Sequence, residues 1–220
     1  MTVDPHVRHT VVSAGTPLGE SRAVMIMLHG RNAGPRNILE LVPPLDRPVF
    51  TYLAPAAANG TWYPYSFMAD IEKNEPSLSS GLHALDRLVS GVVARGIPKE
   101  RIALLGFSQG ACLAAEFAVR HPAQFGGIII YSGGLIGPRG TTWNEDGSFD
   151  GTPVFLGCSD VDAHVPKARV DESADVFTRM GAAVTRRIYP GMGHLVNDDE
   201  IAWTRRVMDT VVMSDRKETV

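Results

Sequence analysis

The chain has 220 residues, 44% of them hydrophobic and 20% charged, with a formal net charge of −3. That size and composition suit one globular domain, residues 1–220, with a substantial core, and they exclude a disordered chain. The basic residues are scattered, which excludes the clustered cationic footprint of a nucleic-acid binder or an anionic-membrane binder.

Taken in chain order, the N-terminal MTVDPHVRHTVV lacks the positive segment and apolar run of a signal peptide. No apolar run approaches the ~20 residues of a membrane span, so a cytoplasmic location is the default expectation. TVVSAG reads as an edge strand. AVMIML (23–28), VFTYLA (49–54), RIALLGF (101–107), GGIIIY (126–131), PVFLGC (153–158) and AVTRRIY (183–189) read as further strands. Most are continuously apolar, as expected when helices cover both faces of a parallel sheet.

Helices are predicted between them. Residues 77–96 place Leu78, Leu82, Leu85, Leu88 and Val92 on one face, with Gly96 as the stop. Residues 109–121 end before Pro122, residues 166–181 end on Gly181, and residues 197–215 carry acids in their first turn, which suits the helix dipole. This alternation predicts an α/β fold with helices on both faces of a mostly parallel sheet. Two long connections, 55–75 and 132–151, hold two of the three tryptophans, Trp62 and Trp143. Loops of that length inside a compact domain are commonly functional. Cys112 and Cys158 lie in apolar segments and read as two reduced, packed thiols. The seven histidines form no H-x-x-x-H pair and the cysteines no C-x-x-C, so no metal site is expected.

Gly106-Phe107-Ser108-Gln109-Gly110 matches the G-x-S-x-G nucleophile elbow and stands between a predicted strand and a predicted helix, as that motif demands. The elbow holds its serine in a strained turn, so the flanking positions must be small. Serine is a weak nucleophile until a base, oriented by a third group, takes its proton. In α/β-hydrolases the order is serine, acid, histidine. His194, in a glycine-rich loop after the last strand, fills the base's place, and Asp160 and Asp162 both follow the preceding strand. Spacing does not choose between them. Two backbone N–H groups are needed for the oxyanion. Gln109, directly after the serine, and Arg31, in the loop after the strand ending at Leu28, are the expected donors.

The segments LHGRNAGP, GFSQGA, TWYPYSF and GMGH resemble those of the phospholipase/carboxylesterase family of α/β-hydrolases, which includes acyl-protein thioesterases and small bacterial esterases. The family's acid motif, D-P-x-V-P, is similar to Asp162-Ala163-His164-Val165-Pro166, with alanine for the first proline, and so points to Asp162. The resemblance implies an α/β-hydrolase fold without a large cap domain. It also implies hydrolysis of small to medium acyl or aromatic esters by Ser108, His194 and Asp162, with no cofactor. Trp62, Tyr63, Tyr65, Phe67 and Trp143 are candidates for the substrate wall, and exposed aromatics would equally serve a homodimer interface. Rival readings are an acyl-protein thioesterase or lysophospholipase, a dienelactone-hydrolase-like lactonase (which usually carries cysteine where this chain has Ser108), and a non-catalytic small-molecule-binding protein.

Overall fold

Each apolar run becomes a strand in the computed structural model, which describes residues 4–7, 10–45 and 47–213. The strands are β1 (Val11–Gly15), β2 (Ala23–Leu28), β3 (Phe50–Pro55), β4 (Ile102–Phe107), β5 (Gly127–Tyr131), β6 (Pro153–Ser159) and β7 (Ala183–Tyr189). They form one sheet in the order β1-β3-β2-β4-β5-β6-β7. Among the described residues only β1 runs antiparallel to its neighbour, with Val11 opposite Pro55 and Gly15 opposite Thr51. The inner strands β2 to β5 are apolar apart from Thr51 because both of their faces are covered. The edge strand β7 carries Thr185, Arg186 and Arg187 and stays half-exposed.

The helices are α1 (Pro35–Leu39), α2 (Val42–Leu45), α3 (Ile71–Asn74), α4 (Ser77–Val93), α5 (Gln109–Arg120), α6 (Lys167–Arg179) and α7 (Asp198–Met213). Helices α4, α5 and α6 pack one face of the sheet, burying Leu82, Leu113 and Phe177 among others. Helices α1, α2 and α7 pack the other with Ile38, Leu45 and Met208. On α4 the inner stripe runs Leu78, Leu82, Leu85, Val89 and Val92, while Leu88 is only half-buried. The i, i+4 step from Leu85 thus selects Val89 rather than Leu88. Helices α1 to α3 are four or five residues long, too short to show a 3.6-residue period, and had no counterpart in the predicted elements. His9 and the last two residues of the predicted 197–215 helix lie outside the described residues.

The chain leaves β2 for β3 on one side and then crosses to β4 on the other. This reversal opens a crevice at the carboxyl ends of β2 and β4, where ligands enter open α/β sheets. The segments after β2, β4, β6 and β7 all converge there.

Candidate active site

Ser108 leaves β4 with φ 54° and ψ −120° and caps α5 from outside the helix. A non-glycine residue in this left-handed region is strained, and it persists only where the surroundings over-determine it. Here they do. A Cβ on Gly106 would come within 2.4 Å of the Gly110 carbonyl, and one on Gly110 within 2.2 Å of the Leu28 carbonyl. The strand can therefore turn into α5 tightly enough to lift Ser108 over the sheet only because both positions lack side chains.

Above it, His194 Nε2 stands 2.8 Å from Ser108 Oγ and His194 Nδ1 stands 2.7 Å from Asp162 Oδ2. An ionised carboxylate only accepts, so Nδ1 carries the proton and Nε2 presents its lone pair to the serine hydroxyl. Asp162 has no exposed side-chain surface, and its other oxygen accepts the N–H groups of His164 and Val165 at 2.8 and 3.0 Å. Burial alone would raise its pKa. The hydrogen bonds from His194, His164 and Val165 outweigh that and hold the carboxyl below its usual range. The Cys158 thiol lies 3.7 Å from Asp162 Oδ2, and burial pushes that thiol up to about 12, so it remains an S–H donor. Asp160 is used otherwise: its Oδ1 accepts the Gly191 N–H at 2.8 Å. The imidazole of His194 is bracketed by Phe107 at 4.9 Å and His164 at 4.8 Å.

Ser108, His194, Gln109 and Arg31 line one cavity of about 840 Å³. The loop after β2 lies against the elbow, since a Cβ on Gly30 would touch that of Ser108 at 3.4 Å. Among the described residues, the backbone N–H groups of Arg31 and Gln109 have no hydrogen-bond partner. The Gln109 N–H also opens α5, where the helix dipole favours negative charge. The Arg31 guanidinium is occupied elsewhere, donating to the carbonyls of Pro64 and Tyr65 and lying over the Tyr63 ring.

Tyr63, Tyr65 and Phe67 line the cavity, but Trp62 and Trp143 do not. Trp62 is buried in the core, where its indole N–H donates to the His29 carbonyl at 2.9 Å. Trp143 donates to the Ile136 carbonyl and packs under the Arg169 guanidinium, closing the 132–151 loop on itself. Both indoles have spent their N–H on loop carbonyls, which is why these tryptophans pin loops instead of facing the cavity. The 55–75 loop is further held by the Gln109 side chain, which accepts from Trp62 N–H and donates to the Tyr63 carbonyl. His29 joins in: its Nε2 accepts the Ala57 N–H and its Nδ1 donates to Gly30, while burial pushes its pKa down and keeps it neutral.

Sequence reading missed the supports of the histidine loop. Ser159 Oγ accepts the Gly193 N–H at 3.0 Å, and Asn197 and Glu200 form a reciprocal cap at the start of α7. Of these, only the N-x-x-E spacing of 197–200 is visible as a motif. No described helix is long and apolar enough to cross a membrane.

The phospholipase/carboxylesterase family model matches residues 10–211. A crystal structure of a phospholipase/carboxylesterase from Dyadobacter fermentans superposes with a TM-score of 0.87 at 39% identity, covering 93% of this chain and 97% of that one. Acyl-protein thioesterase 1 of Eremothecium gossypii is 31% identical over 140 residues, covering 60% of this chain and 58% of that protein. The Saccharomyces cerevisiae protein of the same name is 31% identical over 60% of this chain and 63% of its own length. The match thus spans less than two thirds of those two relatives. Fold, length of match and identity agree, and the chain belongs to the phospholipase/carboxylesterase family.

Proposed function

We propose that this chain is a single-domain serine carboxylesterase hydrolysing small to medium acyl or aromatic esters through an acyl-enzyme. The observation that carries the reading is the unbroken hydrogen-bond relay from Ser108 Oγ through His194 to Asp162, opening on the 840 Å³ cavity. His194 takes the Ser108 proton as Oγ attacks the ester carbonyl, and Asp162 stabilises the imidazolium that results. The Arg31 and Gln109 N–H groups hold the oxyanion. His194 then gives its proton to the leaving alkoxide as the ester C–O bond breaks. Water, deprotonated by the same imidazole, attacks the acyl-Ser108 ester and releases the acid, returning the proton to Ser108. Tyr63, Tyr65 and Phe67 supply the apolar wall for the acyl or aromatic part.

The same machinery would cleave a thioester, and the naming of two curated relatives as acyl-protein thioesterases supports that as the second reading. The test is hydrolysis of p-nitrophenyl esters from acetate to decanoate beside matched S-acyl thioesters, with Ser108→Ala as control. Ester activity abolished by Ser108→Ala supports the esterase, and a kcat/KM favouring thioesters moves the assignment to a thioesterase. A folded wild type that hydrolyses neither and resists a fluorophosphonate probe sinks both.

A further inference from the structure

The histidine loop, residues 190–197, is held at one end by Ser159, the last residue of β6, and by Asp160 just after it. At the other end the Asn197 N–H donates to Glu200 Oε2 at 2.9 Å, and the Glu200 N–H donates to Asn197 Oδ1 at 3.0 Å. Such caps normally sit in solvent. This one does not: Glu200 has no accessible surface, and among the described residues its Oε1 has no hydrogen-bond partner. That oxygen presses on β6, where a Cβ on Gly157 would lie 2.1 Å away. Glu200 is therefore wedged between the loop that carries His194 and the strand that leads into Asp162.

The titratable groups facing it are Tyr131 from β5, Tyr189 from β7 and Asp199 on its own helix, whose charge is met by Arg187. Among the described residues no cation pairs with Glu200. An ionised carboxylate with a bare buried oxygen is costly, whereas a neutral acid still accepts the Asn197 N–H. Burial pushes this carboxyl up to about 7, in the same direction.

We propose that Glu200 is a positioning residue for His194: as an uncharged carboxylic acid it spaces the histidine loop from β6 and so sets the His194–Asp162 contact. The proposal rests on the catalytic reading given above. Ionisation of Glu200 would loosen that spacing and slow the enzyme as pH rises past neutrality.

The experiment measures kcat, KM and fluorophosphonate labelling rate for wild type, Glu200→Gln, Glu200→Ala and Ser108→Ala, from about pH 6 to 9.5, with circular dichroism to establish folding. Glutamine keeps the acceptor and the shape without the charge. Glu200→Gln should hold kcat within about threefold of wild type near neutral pH and flatten the decline of wild-type kcat between roughly pH 7 and 9. Glu200→Ala should lose about tenfold or more in kcat and in labelling rate while KM moves by less than about threefold. A folded Glu200→Ala with unchanged kcat and labelling rate overturns the proposal, since a mere helix cap would alter only stability. Damage by Glu200→Gln equal to that by Glu200→Ala overturns the uncharged role. Should Glu200→Ala not fold, a Glu200→Gln profile superimposable on a declining wild-type one overturns it as well. Retained activity in Ser108→Ala defeats the catalytic reading itself, whereas an inactive Ser108→Ala beside an unaffected Glu200→Ala defeats only this proposal.

Discussion

Replacing Glu200 by glutamine should change how stability depends on pH, by an amount that follows from its burial. The carboxyl moves from an ordinary 4.5 to about 7 on folding because burial disfavours its charge. The folded state therefore binds the proton more tightly than the unfolded chain does. The stability this confers is fully present below pH 4.5 and is lost as pH rises through 7. Integrated from about pH 5 to about pH 8.5, that loss is roughly 2–3 kcal/mol. A chain of 220 residues unfolds with an entropy of roughly 0.46 kcal/mol/K, so the loss corresponds to about 5 °C in Tm. Glutamine cannot ionise, so the variant lacks this slope. Urea or thermal unfolding of both proteins at the two pH values gives the result as a difference, in which other titrating groups cancel. The variant should gain roughly 2–3 kcal/mol on wild type between the two conditions. A difference that stays constant within about 0.5 kcal/mol would show that Glu200 ionises normally in the fold and that its burial does not disfavour its charge.

Asp162→Asn should cost about 10⁴ in kcat on a p-nitrophenyl ester, because the amide no longer holds His194 in the Nδ1–H tautomer. Asp160→Asn should cost less than about tenfold, since its amide oxygen still accepts the Gly191 N–H; the reverse ranking would exchange the two roles. Gly110→Ala forces a Cβ to within 2.2 Å of the Leu28 carbonyl and 2.6 Å of the His29 carbonyl, both backbone. It should destabilise by about 3 kcal/mol or more, read as a Tm lower by about 6 °C in calorimetry, and a wild-type Tm would contradict that close approach. Trp62→Phe leaves the buried His29 carbonyl without its donor and should cost about 1–3 kcal/mol in urea unfolding with KM unchanged. Tyr65→Ala should do the opposite, raising KM while stability moves by less than about 0.5 kcal/mol, because this residue lines the cavity and is 58% exposed.

The strands were legible because their apolar runs are unbroken, and the elbow because two glycines must flank a serine held at positive φ. His194 was legible from its place after the last strand. Between Asp160 and Asp162, by contrast, local spacing was silent: both follow β6, and only the resemblance to D-P-x-V-P pointed to Asp162. In the fold Asp160 bonds Gly191 and Asp162 bonds His194, a division that depends on where β7 delivers its loop. That the two tryptophans lie away from the cavity lining was hidden from the sequence for a related reason. An aromatic loop residue looks alike whether its indole N–H meets solvent, ligand or a distant carbonyl such as His29 O, thirty-three residues away.

Glu200 marks the same boundary. Its N-x-x-E spacing belongs to the sequence, and by itself it specifies a helix start in which the acid is expected to be exposed and charged. That the acid is buried against Gly157 is decided only when α7 docks on β6. Periodicity, turn chemistry and caps act between residues near in sequence, so the sequence alone determined the strands, the longer helices and the elbow. Which polar group meets which across the crevice depends on contacts between distant segments, and the tertiary structure alone decided it.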